Sequence, residues 1–348
     1  MDKLRIAVCN AQVPFEYGGA EILAESLAAR LRTAGHAVAL VNIPYLHYDK
    51  DEILKGYLAW RLLNLREAEG QPIDRVICLK FPSFAVDHPH KITWLVQQFR
   101  QVYDLFGTPY GILSDSPDDT ELRDTVMAID RQTLGESERL LAISGNVAKR
   151  LAHWSQLSAE VLYPPPANEE RYAHAAYGDY VLSVSRLDPL KRIDLLVRAM
   201  GLTRSGAQAW IVGRGKDLAR LQQLAREVGA ADKVVFKGYV PDDEMIGLYA
   251  NALALYYAPV DEDYGLTTIE AMKSSKPVLT AGDSGGVLEF VEDGITGVVV
   301  NPADPHQLAE RIDQLFYDRD LNARWGMNAR ARVASITWDA TLHRLLEG

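Results

Sequence analysis

Short apolar runs alternate with amphipathic helical patterns along this chain, and no other feature constrains its fold as strongly. Runs of this kind predict buried strands, and strands that alternate with helices predict βαβ units and parallel sheets. The runs form two series: 4–9, 37–42, 75–79, 92–96 and 139–143, then 180–184, 209–212, 233–236, 252–257 and 277–280. We therefore expect an α/β protein with two parallel sheets.

The region between the two series is marked by proline. A chain of 348 residues is too long for one typical domain and suits two of about 150 to 180 residues. The segment 162–167 contains three consecutive prolines, whose fixed φ angles and missing N–H groups suit a stiff linker. We place the domain boundary within residues 162–178.

Charge and hydropathy exclude several classes of function. The net charge is −10 and no dense Lys/Arg run occurs, which argues against nucleic acid as a partner. The same charge disfavours an anionic membrane surface, although a local patch stays possible. No stretch approaches the roughly 20 apolar residues that a membrane span needs. Because the N-terminus also lacks the apolar core of a signal peptide, we expect a cytoplasmic protein.

Cysteine and histidine give no sign of a metal site. Cys9 and Cys78 each lie in an apolar, strand-like run, where a reduced and buried thiol is expected. His88 and His90 are closely spaced, but no set of Cys or acidic ligands at metal-binding spacing accompanies them. We predict no metal and no cofactor.

Two carboxylates in the second half form the strongest candidate site. Glu262 and Glu270 are separated by seven residues, and Gly265, Leu266 and Thr267 among them begin an amphipathic run. The first N–H groups of a helix lack intrahelical partners and stabilise an anion such as a phosphate. One carboxylate before the helix and one about a turn inside it can hold opposite ends of a ligand that carries phosphates in its middle.

This constellation resembles the E-x7-E motif of the retaining glycosyltransferases of family 4, and the resemblance covers most of the chain. It implies the GT-B fold, in which two Rossmann-like domains with parallel sheets face a cleft. It also implies that Glu262 contacts the donor sugar and Glu270 the ribose. By resemblance, residues 1–165 form the acceptor domain, 176–330 the nucleotide-sugar donor domain, and about 331–348 a helix that crosses back onto the first domain.

Further segments match the nucleotide side of that family's site. Arg186 and Lys191 match the two cations that neutralise the donor diphosphate, and the adjacent Arg192 could replace Lys191. Gly213 belongs to a Gly-x-Gly turn after a strand, a weak signal by itself. The segment Lys237, Gly238, Tyr239 and Val240 follows another strand, at the end where α/β proteins bind ligands. We expect its backbone to contact the base.

The first half offers weaker signals. Gly18 and Gly19 lie between the first strand and a helix, and the resemblance assigns Gly19 to the loop that approaches the donor. Family members commonly carry a His at the end of an N-domain strand, where this chain has Gln97. Asp115 lies in an acidic loop that could line the acceptor side, although a solvated turn is the simpler interpretation. The cluster 57–65 suits core packing better than contact with a lipid acceptor.

The resemblance implies a metal-independent retaining transferase that moves a hexose from GDP-mannose or a UDP-sugar to a saccharide or lipid-linked saccharide. Such enzymes serve polysaccharide biosynthesis, and peripheral contact at the inner membrane face stays possible. The substitution at Gln97 leaves open a sugar-nucleotide-binding protein without transferase activity. A metal-dependent transferase that uses Asp261 and Asp263 is less favoured, because such a motif usually ends a strand in the first half of a chain. A phosphorylase is disfavoured by the chain's length and by the lack of an evident lysine for pyridoxal phosphate.

Overall fold

The computed structural model describes residues 3–15, 17–46 and 49–347. The chain divides into two compact units, the first comprising Met1–Ala167 with Thr341–Gly348 and the second Asn168–Ala340. The boundary between the two units falls directly after the prolyl segment 162–167. Each unit contains its own parallel sheet.

The described part of the first unit contains eight strands and four α-helices along its main segment. The strands are β1 (Arg5–Gln12), β2 (Ala37–Pro44), β3 (Glu67–Ala68), β4 (Gln71–Pro72), β5 (Arg75–Cys78), β6 (Lys91–Leu95), β7 (Arg139–Ala142) and β8 (Glu160–Val161). The helices are α1 (Gly19–Thr33), α2 (Lys50–Arg61), α3 (Pro117–Gly135) and α4 (Gly145–Ser155).

Six of these strands form one parallel sheet in the order β2-β1-β5-β6-β7-β8, and β3 and β4 pair separately. The chain first builds outward from β1 to β2 and then continues on the other side of β1 with β5. The switch in direction therefore lies between β1 and β5, and ligands of α/β proteins bind at the carboxyl ends of the strands at such a point. Cys9 and Cys78, paired across these two strands, are buried free thiols, and burial raises the pKa of Cys9.

The second unit repeats the alternation. Its strands are β9 (Tyr180–Val184), β10 (Gln208–Val212), β11 (Val234–Gly238), β12 (Ala254–Tyr256), β13 (Val278–Ala281) and β14 (Gly297–Val300). Its helices are α5 (Ile193–Leu202), α6 (Leu218–Glu227), α7 (Asp242–Asn251), α8 (Leu266–Lys273), α9 (Pro305–Tyr317) and α10 (Arg319–Arg332). The parallel sheet has the order β11-β10-β9-β12-β13-β14, which is the Rossmann order, with its switch point between β9 and β12.

The final helix, α11 (Trp338–Glu347), begins in the second unit, and its residues from Thr341 belong to the first. Within the first unit the guanidinium of Arg75 donates to the carbonyl of Leu346 at 2.6 Å. Arg139 donates to the carbonyl of Arg344 at 2.7 Å, and Arg344 is ion-paired with Glu160. These contacts fix the tail on strands β5, β7 and β8.

The α/β class is confirmed, and each of the ten predicted strands overlaps a strand of the structure. The sequence analysis missed β8 and β14, at the far edges of the two sheets, and the hairpin of β3 and β4. Strands β3, β4 and β8 have two residues each, too few to show a period. Strand β14 begins at Gly297, the last residue of the turn-like segment 293–297. The turn residues before it gave no sign that a strand starts there.

Candidate functional site

The switch point of the second sheet brings two predicted residues into contact. Lys191 lies on the loop after β9 and Glu262 on the loop after β12, and their side chains form an ion pair. The backbone joins the same two loops, because the N–H of Val260 donates to the carbonyl of Leu190 at 2.8 Å. Both side chains are largely buried but reach solvent, with 17% and 20% exposure. A cation and a carboxylate therefore lie together where Rossmann-type sheets bind ligands.

Tyr257 is a third member of this cluster, and the sequence analysis did not identify it. Its hydroxyl accepts from the Lys191 ammonium at 3.2 Å and is also hydrogen-bonded to Glu262. Burial, and then the charge of Glu262, raise the pKa of Tyr257. Burial opposes the charged form of Lys191, but Tyr257 and Glu262 outweigh it and raise the pKa of the ammonium. Lys191 is therefore a cation at neutral pH.

Arg192, the predicted substitute for Lys191, has a structural role. It adopts a left-handed backbone with φ of 48°. Its guanidinium donates to both carboxylate oxygens of Asp283, at 2.6 and 3.1 Å, and to the carbonyls of Ala258 and Pro259. Those contacts occupy the guanidinium, so Lys191 alone supplies a cation to the cluster from this pair.

Arg186 differs in being exposed. It follows β9, and its side chain forms no hydrogen bond or ion pair with other described residues. An uncommitted guanidinium at the carboxyl end of β9 can pair with a phosphate at no cost in existing contacts.

The turn before α8 approaches its neighbours closely. Gly265 caps the helix with φ of +84°, a left-handed conformation, and a Cβ atom there would lie 2.9 Å from a methyl of Val287. The N–H of Gly286 donates to the carbonyl of Glu262 at 2.8 Å, which fixes the backbone of the first carboxylate. Leu266 and Thr267 open α8, where N–H groups without intrahelical partners favour an anion.

Glu270 lies one turn inside α8, and two tyrosines hold its carboxylate. The hydroxyl of Tyr249 donates to Oε2 at 2.7 Å, and Tyr172 lies close enough to interact with the same carboxylate. Burial raises the pKa of Glu270, whereas the interactions with the two tyrosines lower it. No cation among the residues the structure describes lies within ion-pair distance of this carboxylate, so it offers acceptors to neutral donors such as hydroxyls.

The loops after β10 and β11 surround the same end of the sheet. Gly213 has φ of +133°, and a Cβ atom there would lie 1.8 Å from the Ser185 carbonyl oxygen. Packing against the β9 loop thus requires this glycine, whatever the ligand. The N–H of Gly213 donates to the carbonyl of Gly238 at 2.8 Å, so the two loops are joined.

Side chains in the β11 loop have different environments. The ammonium of Lys237 lies 4.2 Å from the centre of the Trp210 ring, whereas Tyr239 is 66% exposed with Arg214 over its ring. Val240 is buried. An exposed aromatic ring beside an arginine can stack on a base.

The candidate residues of the first unit are more dispersed. Gly19 begins α1, and a Cβ atom there would meet nothing within 4 Å. Gln97 lies two residues beyond β6, partly exposed, and lines a small cavity with Arg100 and Asp104. Asp115 is exposed, with a carboxylate oxygen 3.0 Å from where a Cβ atom of Gly107 would lie.

The switch point of the first sheet holds a pair that the sequence analysis missed. The ammonium of Lys80, after β5, donates to Glu21 of α1 at 2.6 Å, and both side chains are buried. The second oxygen of Glu21 accepts from the N–H of Gly18 at 3.0 Å. Lys80 lies directly after the predicted strand 75–79 and Glu21 lies in the first turn of the helix that follows the predicted strand 4–9, and these positions are the one signal that could have found them.

The described residues include no group of side chains suited to holding a metal ion. Across residues 3–15, 17–46 and 49–347, no three His, Cys, Asp or Glu side chains converge on one point. Within those ranges, no helix is long and apolar enough to cross a bilayer.

Comparison with known proteins adds a family. Residues 167–332 match the family described as Glycosyl transferases group 1. A D-inositol 3-phosphate glycosyltransferase of Nocardia farcinica is 33% identical over 242 residues, which cover 63% of this chain and 53% of that protein. A GDP-mannose-dependent alpha-(1-6)-phosphatidylinositol monomannoside mannosyltransferase of Mycobacterium tuberculosis is 35% identical over 178 residues, 48% of this chain and 46% of that protein. The chain thus spans about half the length of the curated relatives it matches.

The fold extends further than the sequence similarity. The structure of HepE from Anabaena in complex with UDP and glucose matches with a TM-score of 0.72 at 17% identity, over 99% of this chain and 98% of that one. At this identity the likeness concerns the fold alone. The match bears out the predicted resemblance to glycosyltransferases, and residues 167–332 of this chain carry a domain of the group 1 glycosyltransferase family.

Proposed function

We propose that this protein is a retaining, metal-independent glycosyltransferase that moves a hexose from a nucleoside diphosphate sugar to a carbohydrate or lipid-linked carbohydrate. The observation that carries the proposal is the meeting of Lys191 and Glu262 at the switch point of the second sheet. The start of α8 and Glu270 follow Glu262 directly in the chain. Two carboxylates, a cation and a helix N-terminus match the hydroxyls and phosphates of a nucleotide sugar.

In this mechanism the second unit stabilises the departing diphosphate. Lys191 and Arg186 neutralise its charge as the bond from C1 of the sugar to the phosphate oxygen breaks. Glu262 accepts hydrogen bonds from sugar hydroxyls, so the donor must take over part of the Lys191–Glu262 contact. The acceptor oxygen forms the new bond to C1 on the same face, and its proton passes to the released phosphate oxygen. Positioning and charge stabilisation are the enzyme's contribution.

The identity of donor and acceptor is proposed only as a class. GDP-mannose is named for the Mycobacterium tuberculosis relative and UDP with glucose for the Anabaena structure, so we propose a guanine or a uracil nucleotide as the donor. At the C-terminal end of α2, Leu58 and the capping residue Leu62 are exposed while Tyr57 and Trp60 are buried. This exposed pair is where we would place contact with a lipid-linked acceptor or a membrane surface. The expected cytoplasmic location and a role in polysaccharide biosynthesis stay predictions.

A sugar-nucleotide-binding protein without transferase activity is the second candidate, and Gln97 favours it. An amide cannot titrate, so this position could not provide the histidine chemistry found in family members. It could still donate to a sugar hydroxyl.

The decisive experiment combines binding and turnover. The purified protein is titrated with UDP, GDP, ADP, CDP and dTDP and the matching sugar nucleotides in a thermal-shift assay, with and without EDTA. A ligand at a hundredfold excess over its Kd stabilises the native state by about 2.7 kcal/mol. We expect one base to shift the transition regardless of EDTA, and Glu262→Gln, but not the surface control Glu227→Gln, to lose transfer. Binding without transfer or donor hydrolysis over a broad acceptor panel would favour the second candidate, and no shift with any nucleotide would refute both.

A further inference from the structure

We propose that Tyr249 and Tyr172 are positioning residues that orient Glu270 toward both hydroxyls of a ribose, so that the site selects ribonucleotide over 2′-deoxyribonucleotide donors. The inference rests on the proposed function, in which Glu270 contacts the ribose. It narrows the donor class, because dTDP-sugars lack the 2′-hydroxyl.

The two tyrosines approach Glu270 from different parts of the second unit. Tyr249 lies in the last turn of α7 with a fully buried side chain, and Tyr172 lies in the segment that precedes β9. Their rings meet edge to face, with centroids 5.7 Å apart. The hydroxyl of Tyr249 is 2.7 Å from Oε2 of Glu270, and Tyr172 lies close enough to interact with the same carboxylate.

The surroundings hold the tyrosines in place. Arg171, next to Tyr172, pairs with Asp243 at the start of α7 at 2.7 Å. At the other end of that helix, the N–H groups of Ala175 and Ala176 donate to the carbonyl of Ala250 at 3.0 and 3.2 Å. The segment that carries Tyr172 is thus bonded to both ends of the helix that carries Tyr249.

The chemistry of the carboxylate gives the specificity. An ionised carboxylate only accepts hydrogen bonds and offers about four lone-pair positions. The hydroxyl of Tyr249 uses part of this capacity and, with Tyr172 beside the carboxylate, orients the group, which leaves acceptors for the two donors of a ribose diol. No cation lies within ion-pair distance among the described residues, so no ion pair competes for those acceptors. A nucleotide without the 2′-hydroxyl leaves one acceptor of a partly buried carboxylate unsatisfied.

The expected size of the discrimination follows from hydrogen bonds to a charged group. Such a bond is worth about 10- to 100-fold in affinity. Loss of the tyrosine hydroxyls leaves the carboxylate in place but free to rotate, so affinity for the ribonucleotide falls while affinity for the deoxyribonucleotide hardly changes. A general loosening of the site would weaken both nucleotides alike, which separates positioning from a merely structural role.

The test measures Kd by calorimetry for matched pairs, UDP with dUDP, GDP with dGDP, ADP with dADP and CDP with dCDP. It compares the wild type with Tyr249→Phe, Tyr172→Phe, the double variant and Glu270→Gln. Tyr177→Phe is the control, because its hydroxyl donates to the carbonyl of Ser275 at 3.0 Å and belongs to the same segment as Tyr172.

For the nucleotide that binds, we expect the wild type to prefer the ribose form about 10- to 100-fold. That ratio should fall to about 3 or less in the double variant and in Glu270→Gln, and stay unchanged in Tyr177→Phe. A double variant that keeps the wild-type ratio, or loses affinity equally for both forms, overturns the inference and leaves the transferase proposal standing. Failure of the wild type to bind any of these nucleotides removes the proposed function and the inference with it.

Discussion

The two units have similar sheets, and each places an oppositely charged pair at its switch point, yet the two pairs differ in what surrounds them. In the first unit, Glu21 and Lys80 are 9% and 11% exposed, and Glu21 also binds the N–H of Gly18. In the second, Lys191 and Glu262 are about twice as exposed and share Tyr257. The first pair fastens a helix to its sheet, whereas the second keeps access to a ligand. The shared topology therefore fixes the place of a charged pair and leaves its role to the neighbouring side chains.

A second contrast concerns carboxylates held by tyrosines. Asp130 of the first unit is fully buried and accepts hydrogen bonds from Tyr57 and Tyr103. Glu270 of the second unit accepts from Tyr249 and lies against Tyr172, but it is only partly buried. Burial raises the pKa of both carboxylates. Only the one in the second unit can meet a ligand, so the same arrangement serves packing in one unit and, as we propose, recognition in the other.

The largest expected effect comes from removing Lys191, the cation of the second pair, which tests whether that pair serves a ligand. We expect Lys191→Met to lower the rate of transfer on the order of 10³-fold, because the leaving diphosphate loses a partly buried positive charge. Stability should fall by less than about 1 kcal/mol, since solvent reaches the orphaned Glu262. The measurement is kcat with the identified donor, alongside urea unfolding; wild-type kcat would exclude Lys191 from the mechanism.

Removing Lys80, the cation of the first pair, should lower folding stability much more than Lys191→Met does. Lys80→Met leaves Glu21 buried without its partner, which costs about 3 to 5 kcal/mol of folding free energy. The double variant Glu21→Gln with Lys80→Met should recover most of that loss, because no charge then remains buried. Urea unfolding of both variants tests this, and a single variant as stable as the wild type would show that the pair has no structural role.

The buried carboxylate of the first unit predicts a pH dependence. Burial raises the pKa of Asp130 to about 6, above the roughly 3.9 of an unfolded chain. A raised folded-state pKa means that the stabilising contribution is complete below about pH 4 and is lost as the pH rises to about 6. From pH 5 to 7.5 the wild type should therefore lose about 1 to 2 kcal/mol more than Asp130→Asn does. Parallel stability curves for the two proteins over this range would contradict the assignment.

The smallest expected effect concerns the exposed cation of the second unit. Arg186→Gln should weaken nucleotide binding about 10-fold at low salt, because one charge-assisted contact to the phosphates is lost. The difference should shrink as ionic strength rises, since salt screens exposed charges. Titrations at two salt concentrations measure it, with Arg226→Gln on α6 as the control. Equal affinity of wild type and variant at low salt would place Arg186 outside the site.

Much of this protein was determined by the sequence alone. The apolar runs specified ten strands, because burial between helix layers requires such runs wherever a parallel strand forms. The left-handed turn at Gly265 and the start of α8 were also local, since a helix N-terminus depends on a few adjacent residues. The individual residues Lys191, Glu262 and Glu270 were predicted because their types and order resemble a known family.

Only the tertiary structure decided which of these residues meet and what accompanies them. Lys191 and Glu262 are 71 residues apart in the sequence, and Lys80 and Glu21 are 59 apart. The order of the strands in each sheet brings the two members of each pair into contact. Nothing in the sequence distinguishes Lys191 from Arg192, but the left-handed backbone at Arg192 turns that side chain to Asp283. Tyr257 and Tyr249 lie in apolar patterns typical of core residues, and only folding shows that their hydroxyls reach charged groups. Local patterns fix strands and turns because their energetics are local, whereas a site is assembled by contacts between distant segments that no local pattern records.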